Sequence, residues 1–177
     1  MTTYISMLRG INVSGQKKIA MAELKKLYES LGFKNVQTYI QSGNVIFEYS
    51  DANLSKLISK IEKKIKEYFG FDVLVLIRTK DEFQKLIENT PFSKKDNNKL
   101  HVTFLSSIPT DSPIEEINKV KYKSEEFFIS GKEIYLFCPN GYGKSKLSNN
   151  FFERKLKLSA TTRNWKTITK LLEITEQ

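Results

Sequence analysis

The 177-residue chain carries 29 Lys and Arg against 20 Asp and Glu, a formal net charge of +9, on a composition that is 40% hydrophobic, 28% charged and 12% aromatic; this is a soluble globular composition, with enough chain for one domain or two small ones. A single cysteine, Cys138, excludes an internal disulfide, and a single histidine, His101, excludes a zinc cluster of the usual spacing. No apolar run reaches the roughly 18 residues of a membrane span, and the first residues enter a strand instead of a signal peptide, so no membrane partner is expected and the expected location is the cytoplasm.

In chain order, "TYISML" reads as a strand and "MAELKKLYESLGF" as an amphipathic helix, with Leu24, Leu27, Tyr28 and Leu31 on one face and Gly32 as its left-handed cap. "NVQTYIQSGNVIFEY" follows as two alternating strands joined at Ser42-Gly43, a hairpin. "NLSKLISKIEKKIKEYFGF" places Leu54, Leu57, Ile58, Ile61, Ile65 and Phe69 on one helix face, and "DVLVLI" is the next strand. The order through Arg78 is strand, helix, strand, strand, helix, strand, the ferredoxin-like βαββαβ pattern. The echo of "LGFKNV" in "FGFDV" hints at related halves, but it is too short to establish a repeat.

Residues 79–177 are less regular: a helix near 80–89, the polar loop "NTPFSKKDNNK", the strand "LHVTFL" and a short helix near 113–119. A second hairpin, "EFFISGKEIYLFC", turns at Ser130-Gly131, and "NNFFERKL" and "RNWKTITKLLEI" read as helices. The expected fold is therefore mixed α/β (α+β): a ferredoxin-like subdomain over 1–78, then a smaller appended α/β subdomain with C-terminal helices over 79–177.

Charge is unevenly placed. Residues 79–140 hold nine Lys and Arg against ten Asp and Glu, whereas residues 141–170 hold eight against one, which suggests an anionic partner alongside the alternative of a solvated basic face. Three polar stretches could bind it. The first is the turn after the opening strand, with Arg9 and Asn12. In the split pattern it lies at the same end of the sheet as the turn carrying Gln41, Ser42 and Asn44. Arg9 offers a planar set of donors and Gly10 and Gly15 allow close approach, although Asn12 and Asn44 equally suit the closing of tight turns.

The second stretch, "NGYGKSKLSNN", carries Lys144, Ser145 and Lys146 on a glycine-rich turn; it is not a nucleotide-triphosphatase loop, because Cys138 stands where that pattern needs glycine. In the third, "SATTRNW", Thr161 or Thr162 is expected to cap the last helix, leaving its first amides with Arg163 and Asn164 aimed at an anion. His101 and Cys138 have no recognisable catalytic partner, and no carboxylate pair marks acid-base chemistry.

Taken together, "LRGINVSG", "MAEL", "YIQSGNVIF", "SKLSNNFFERKL" and "ATTRNWKT" resemble the bacterial family known as domain of unknown function 1697, over nearly the whole chain. The resemblance implies a ferredoxin-like N-terminal part with an appended α/β part and no stated activity. It places the shared polar positions on Arg9, Asn12, Gln41, Ser42, Asn44, Ser145, Lys146, Arg154, Thr162, Arg163 and Asn164. The leading expectation is a protein that binds an anionic, phosphate-bearing small molecule, with the N-terminal turns and the basic C-terminal segment as two walls of one cleft. A nucleic-acid binder and an interaction module without a small ligand are the alternatives; no metal-ligating residues are expected, with oxygen-ligated magnesium left open, and the residues point to no particular activity, cofactor or oligomeric state.

Overall fold

The computed structural model describes residues 1–50, 52–120 and 122–177. The chain packs as two compact units, Met1–Lys85 with Lys170–Gln177, and Leu86–Thr169. Each unit is a four-stranded antiparallel sheet with helices.

In the first unit the strands are β1 (Thr2–Leu8), β2 (Lys34–Tyr39), β3 (Asn44–Tyr49) and β4 (Val75–Thr79), with α1 (Met21–Ser30) between β1 and β2 and α2 (Leu54–Phe69) between β3 and β4. Their order across the sheet is β2-β3-β1-β4. Alternation in β1 sends Tyr4, Ser6 and Leu8 to one face and Ile5 and Met7 to the other, and all five are buried. The helices contribute Leu24, Leu27 and Tyr28 from α1 and Leu57, Ile61 and Ile65 from α2 to the core. Phe47 on β3 stacks on Phe33 at 4.4 Å and meets Tyr28 edge-on at 5.5 Å, so aromatic rings join sheet to helix. The buried hydroxyls of Ser6 and Tyr28 satisfy each other at 2.7 Å, and burial pushes the Tyr28 phenol well above its ordinary pKa.

Both ends of α2 follow its sequence signals. The Asn53 side chain accepts from the Lys56 amide and Gly70 closes the helix in the left-handed conformation. Two boundaries differ from expectation. The fourth strand starts at Val75, not Asp72, because its partner β1 ends at Leu8, whose register neighbour is Val75; Leu74, beyond that pair, is exposed. The first hairpin loop takes the four residues 40–43, with Ile40 as well as Gly43 at positive φ.

The second unit contains β5 (Leu100–Leu105), α4 (Asp111–Asn118), β6 (Glu126–Ser130), β7 (Glu133–Phe137), α5 (Asn149–Leu156) and β8 (Ala160–Asn164). Its strand order, β6-β7-β5-β8, repeats that of the first unit position for position. Where a smaller appended part was expected, the second unit thus has a complete sheet of the same connectivity. Its core gathers Leu105, Ile134, Leu136 and Cys138 from the sheet with Phe152 and Leu156 from α5. The second hairpin turns on Gly131-Lys132, since Ser130 still pairs with Glu133.

A helix follows the last strand of each series: α3 (Lys80–Glu88) after β4 and α6 (Trp165–Ile174) after β8. Their starts are capped differently. Thr79 and Glu82 form a reciprocal capping box, whereas the Asn164 side chain accepts from the Thr167 amide at 2.8 Å. No helix among the described residues is long and apolar enough to cross a membrane.

Candidate functional site

β1 and β2 are both antiparallel to β3, so they run in one direction and their following turns lie at the same end of the sheet. The two turns are joined directly: the Leu8 amide donates to the Gly43 carbonyl at 2.8 Å, and the Asn12 side chain donates to the Gln41 carbonyl at 2.8 Å. The loop after β1 is tightly coiled, with Gly10, Asn12, Ser14, Gly15 and Lys17 all at positive φ. Asn12 holds it closed. Its Nδ2 also donates to the Ile19 carbonyl, and its Oδ1 accepts from the Ile19 amide. Asn44 does the same for the hairpin, donating to the Tyr39 carbonyl and to the Ser42 hydroxyl. Both asparagines therefore perform turn chemistry, the plainer of the two readings their residue type allows.

Arg9 is placed differently. It is half-buried and lines a cleft of about 470 Å³ together with Lys17, Lys63, Lys66, Glu62 and Asp72. Gln41, Ser42 and Asn44 are not among the lining residues. The charge of this cleft is largely engaged within itself: Lys17 donates to the Asp72 carbonyl, Lys66 pairs with the Asp72 carboxylate at 3.0 Å, and Glu62 accepts from the Val75 amide.

In the second unit the loop between β7 and α5 passes through Gly141 at a φ of +89° and ψ of 145°, forms a single 3-10 turn over Tyr142–Lys144 and leaves Ser145 extended. The helix starts only at Asn149, so the chain after Ser145 has none of the geometry of a phosphate loop. Ser145 accepts from the Leu147 amide and Ser148 caps α5. Lys144 and Lys146 remain exposed, and with Lys123, Tyr122, Val120 and Asn140 they line a cleft of about 490 Å³. Glu125 is the one acid among its described lining residues. None of the three ammonium groups has a hydrogen-bond or ion-pair partner among the described residues. Arg154 lies exposed on α5. Tyr122 and Lys123 had no sequence signal of their own, since only the fold brings the segment before β6 against the glycine-rich turn that Asn140 opens.

The third stretch is corrected by the structure. Residues 160–164 are the strand β8, paired along β5, and not a loop before a helix. Thr161 and Thr162 do not cap the last helix; Asn164 does. The Thr162 hydroxyl donates to the Asn149 side chain at 2.6 Å and so accepts from Thr103 at 2.7 Å, a hydroxyl chain from the sheet to α5. Arg163 is 7% exposed, its Nη1 donating to the Thr161 hydroxyl and the Thr162 carbonyl. Alternation explains the miss: a strand containing two threonines, an arginine and an asparagine reads as a polar cap until its pairing is known.

His101 stacks on Tyr142 at 4.9 Å, and its Nδ1 is buried with no hydrogen-bond partner among the described residues. Burial pushes its pKa below the ordinary value, against a smaller upward pull from the Lys99 backbone. Burial likewise pushes the Cys138 thiol up, away from the thiolate a nucleophile needs. For a histidine depressed in the folded state, the unfolded chain binds the proton first, so stability falls as pH drops below about 6.5 towards the folded value. Urea melts between pH 7.5 and 5 should show this loss, and His101→Phe, which keeps a ring against Tyr142, should flatten that part of the profile. An unchanged slope in the variant would assign the effect to other groups.

Residues 1–135 match the family described as a protein of unknown function, DUF1697. No curated protein matches the chain. Among solved structures, a conserved bacterial protein from Streptococcus pneumoniae is 28% identical, superimposes with a TM-score of 0.78, and the match covers 97% of each chain.

Proposed function

We propose, for a chain that belongs to the DUF1697 family and takes no stated activity from it, that the protein binds an anionic, phosphate-bearing small molecule at the lysine cleft of its second unit. The observation that carries this reading is the convergence of Lys123, Lys144 and Lys146 on one cleft with a single acid, Glu125, among its described lining residues. Three like charges set against one acid still repel, and an anion relieves that repulsion while gaining charge-assisted hydrogen bonds. The cleft around Arg9 is the weaker candidate, because Lys17 and Lys66 already meet Asp72 and Lys63 pairs with Glu67.

The reading is tested by calorimetry with a panel of organic phosphates. The double variant Lys144→Ala, Lys146→Ala should bind about tenfold or more weakly, each charge-assisted bond contributing roughly 1.5–3 kcal/mol. Both lysines are exposed, so the fold should be unaffected. Panel-wide failure to bind, or affinity unchanged in the double variant, would overturn the assignment.

A second reading rests on a separate observation: Lys144, Lys146, Arg154, Lys155, Lys157 and Lys166 are all exposed within one short stretch. Such a run suits a nucleic-acid backbone, and its signature is a steep loss of affinity with salt. As to architecture, the βαββαβ order with strands arranged β2-β3-β1-β4 supports the ferredoxin-like assignment for the first unit, and the same order in the second supports extending it there.

A further inference from the structure

The lysine cleft has a second character besides its charge, and from it we infer that the ligand is a nucleoside phosphate, one whose phosphate meets the lysines and whose planar base lies against Tyr122 and Val120. This inference rests on the anion-binding reading above and narrows it. A lone phosphate group fills only a small part of a cleft of about 490 Å³, a volume within the roughly 300–1,000 Å³ typical of sites for whole small molecules. What lines the remainder is informative. Val120 is 53% exposed, an apolar side chain left facing solvent. Tyr122, two residues on, is packed on its own unit: its ring meets Phe127 and Phe151 edge-on at 5.5 and 5.8 Å, and its hydroxyl donates to the Ile117 carbonyl at 3.3 Å.

An immobilised aromatic ring loses little freedom when a flat group settles on it, which is the condition under which stacking contributes most to affinity. Ser124 and Asn140 also line the cleft, the Asn140 amide donating to the Ser124 hydroxyl at 3.4 Å, and their remaining hydroxyl and amide capacity is of the kind that meets the polar edge of a base or a ribose. A sugar phosphate without a base would leave the Val120 and Tyr122 wall wet. A base without a phosphate would leave the three lysines unmatched.

The experiment compares inorganic phosphate, ribose 5-phosphate, the four common nucleosides and their 5′-monophosphates by calorimetry on the full chain. At least one monophosphate should bind ten times or more tightly than both ribose 5-phosphate and its own nucleoside. The exposed-site variant Val120→Ser, which carries little risk to folding, should shrink that advantage severalfold, Tyr122→Leu should abolish it, and Tyr122→Phe should keep it. If ribose 5-phosphate binds as well as every monophosphate, the anion-binding reading stands and the nucleoside assignment is wrong. If neither phosphates nor nucleotides bind, both fall together. A monophosphate preference that survives both Val120→Ser and Tyr122→Leu would also overturn the assignment, since the base would then be recognised elsewhere.

Discussion

Replacing Gly43 by alanine should lower the stability of the folded chain by about 2–4 kcal/mol, read as a drop in the urea midpoint at unchanged slope. Two independent penalties fall on this one methyl group. Gly43 sits at a φ of +80°, where a side chain is strained. A Cβ there would also stand 2.6 Å from Cδ1 of Ile11 and 2.9 Å from Cβ of Leu8. The Leu8 contact decides the sign, because a Cβ cannot rotate away, and Leu8 is itself fully buried on a central strand. Moving Gly43 outward instead would strain the bond from the Leu8 amide to its carbonyl. Gly10, where an added Cβ would meet nothing within 4 Å, is the control: its alanine variant should lose only the cost of the left-handed backbone, roughly 1–2 kcal/mol. Equal losses at the two glycines would show that close packing at the turn contributes nothing.

That glycine was legible as a turn residue from "QSGN" alone, but its role as the contact point between two loops was not. Periodicity reveals the helices and strands that carry a continuous apolar face, such as the Leu57, Ile61, Ile65 face of α2. It misplaces the start of β4, because "DVLVLI" is apolar throughout and the register of β1 decides where pairing begins. It also conceals the likeness of the two units. The signal is present in the Ser-Gly of both hairpins, yet the second hairpin belongs to the strands β6 and β7 at the edge of a sheet that is closed by β8, and β8 carries too many polar residues to read as a strand.

Of the candidate site, Lys144 and Lys146 could be found from charge density alone. Tyr122 and Lys123, 20 or so residues earlier, could not, since nothing local distinguishes a lysine that lines a cleft from one that faces bulk water. Asn12, Asn44, Ser145 and Thr162 illustrate the converse: each is a polar residue singled out as a binder, and each has its side chain engaged in holding the chain to itself.

Arg163 is where these two roles separate most sharply, and Arg163→Ala should destabilise the unliganded protein by about 2–4 kcal/mol while leaving its response to organic phosphates intact. As the opening residue of a capped helix it would have faced solvent; as the fourth residue of β8, opposite Val102, it is buried and bonded to Thr161 and Thr162. Removing it leaves a buried hydroxyl and carbonyl without that donor and opens a cavity the length of the side chain. The first unit makes the same arrangement at the same place. Arg78 is the fourth residue of β4, opposite Ile5, 3% exposed, with Nη1 donating to the carbonyl of the residue before it at 3.0 Å, as Arg163 does to Thr162 at 3.0 Å. An arginine that recurs at one topological position in both sheets, bonded back onto its own strand each time, is explained by the architecture the units share and needs no ligand. Arg163→Met, which keeps the apolar stem but loses the donors, should recover part of the stability lost by alanine. The brace would be refuted by an alanine variant that melts like the parent when unliganded but no longer gains stability with phosphate, and Arg163 would then return to the binding site.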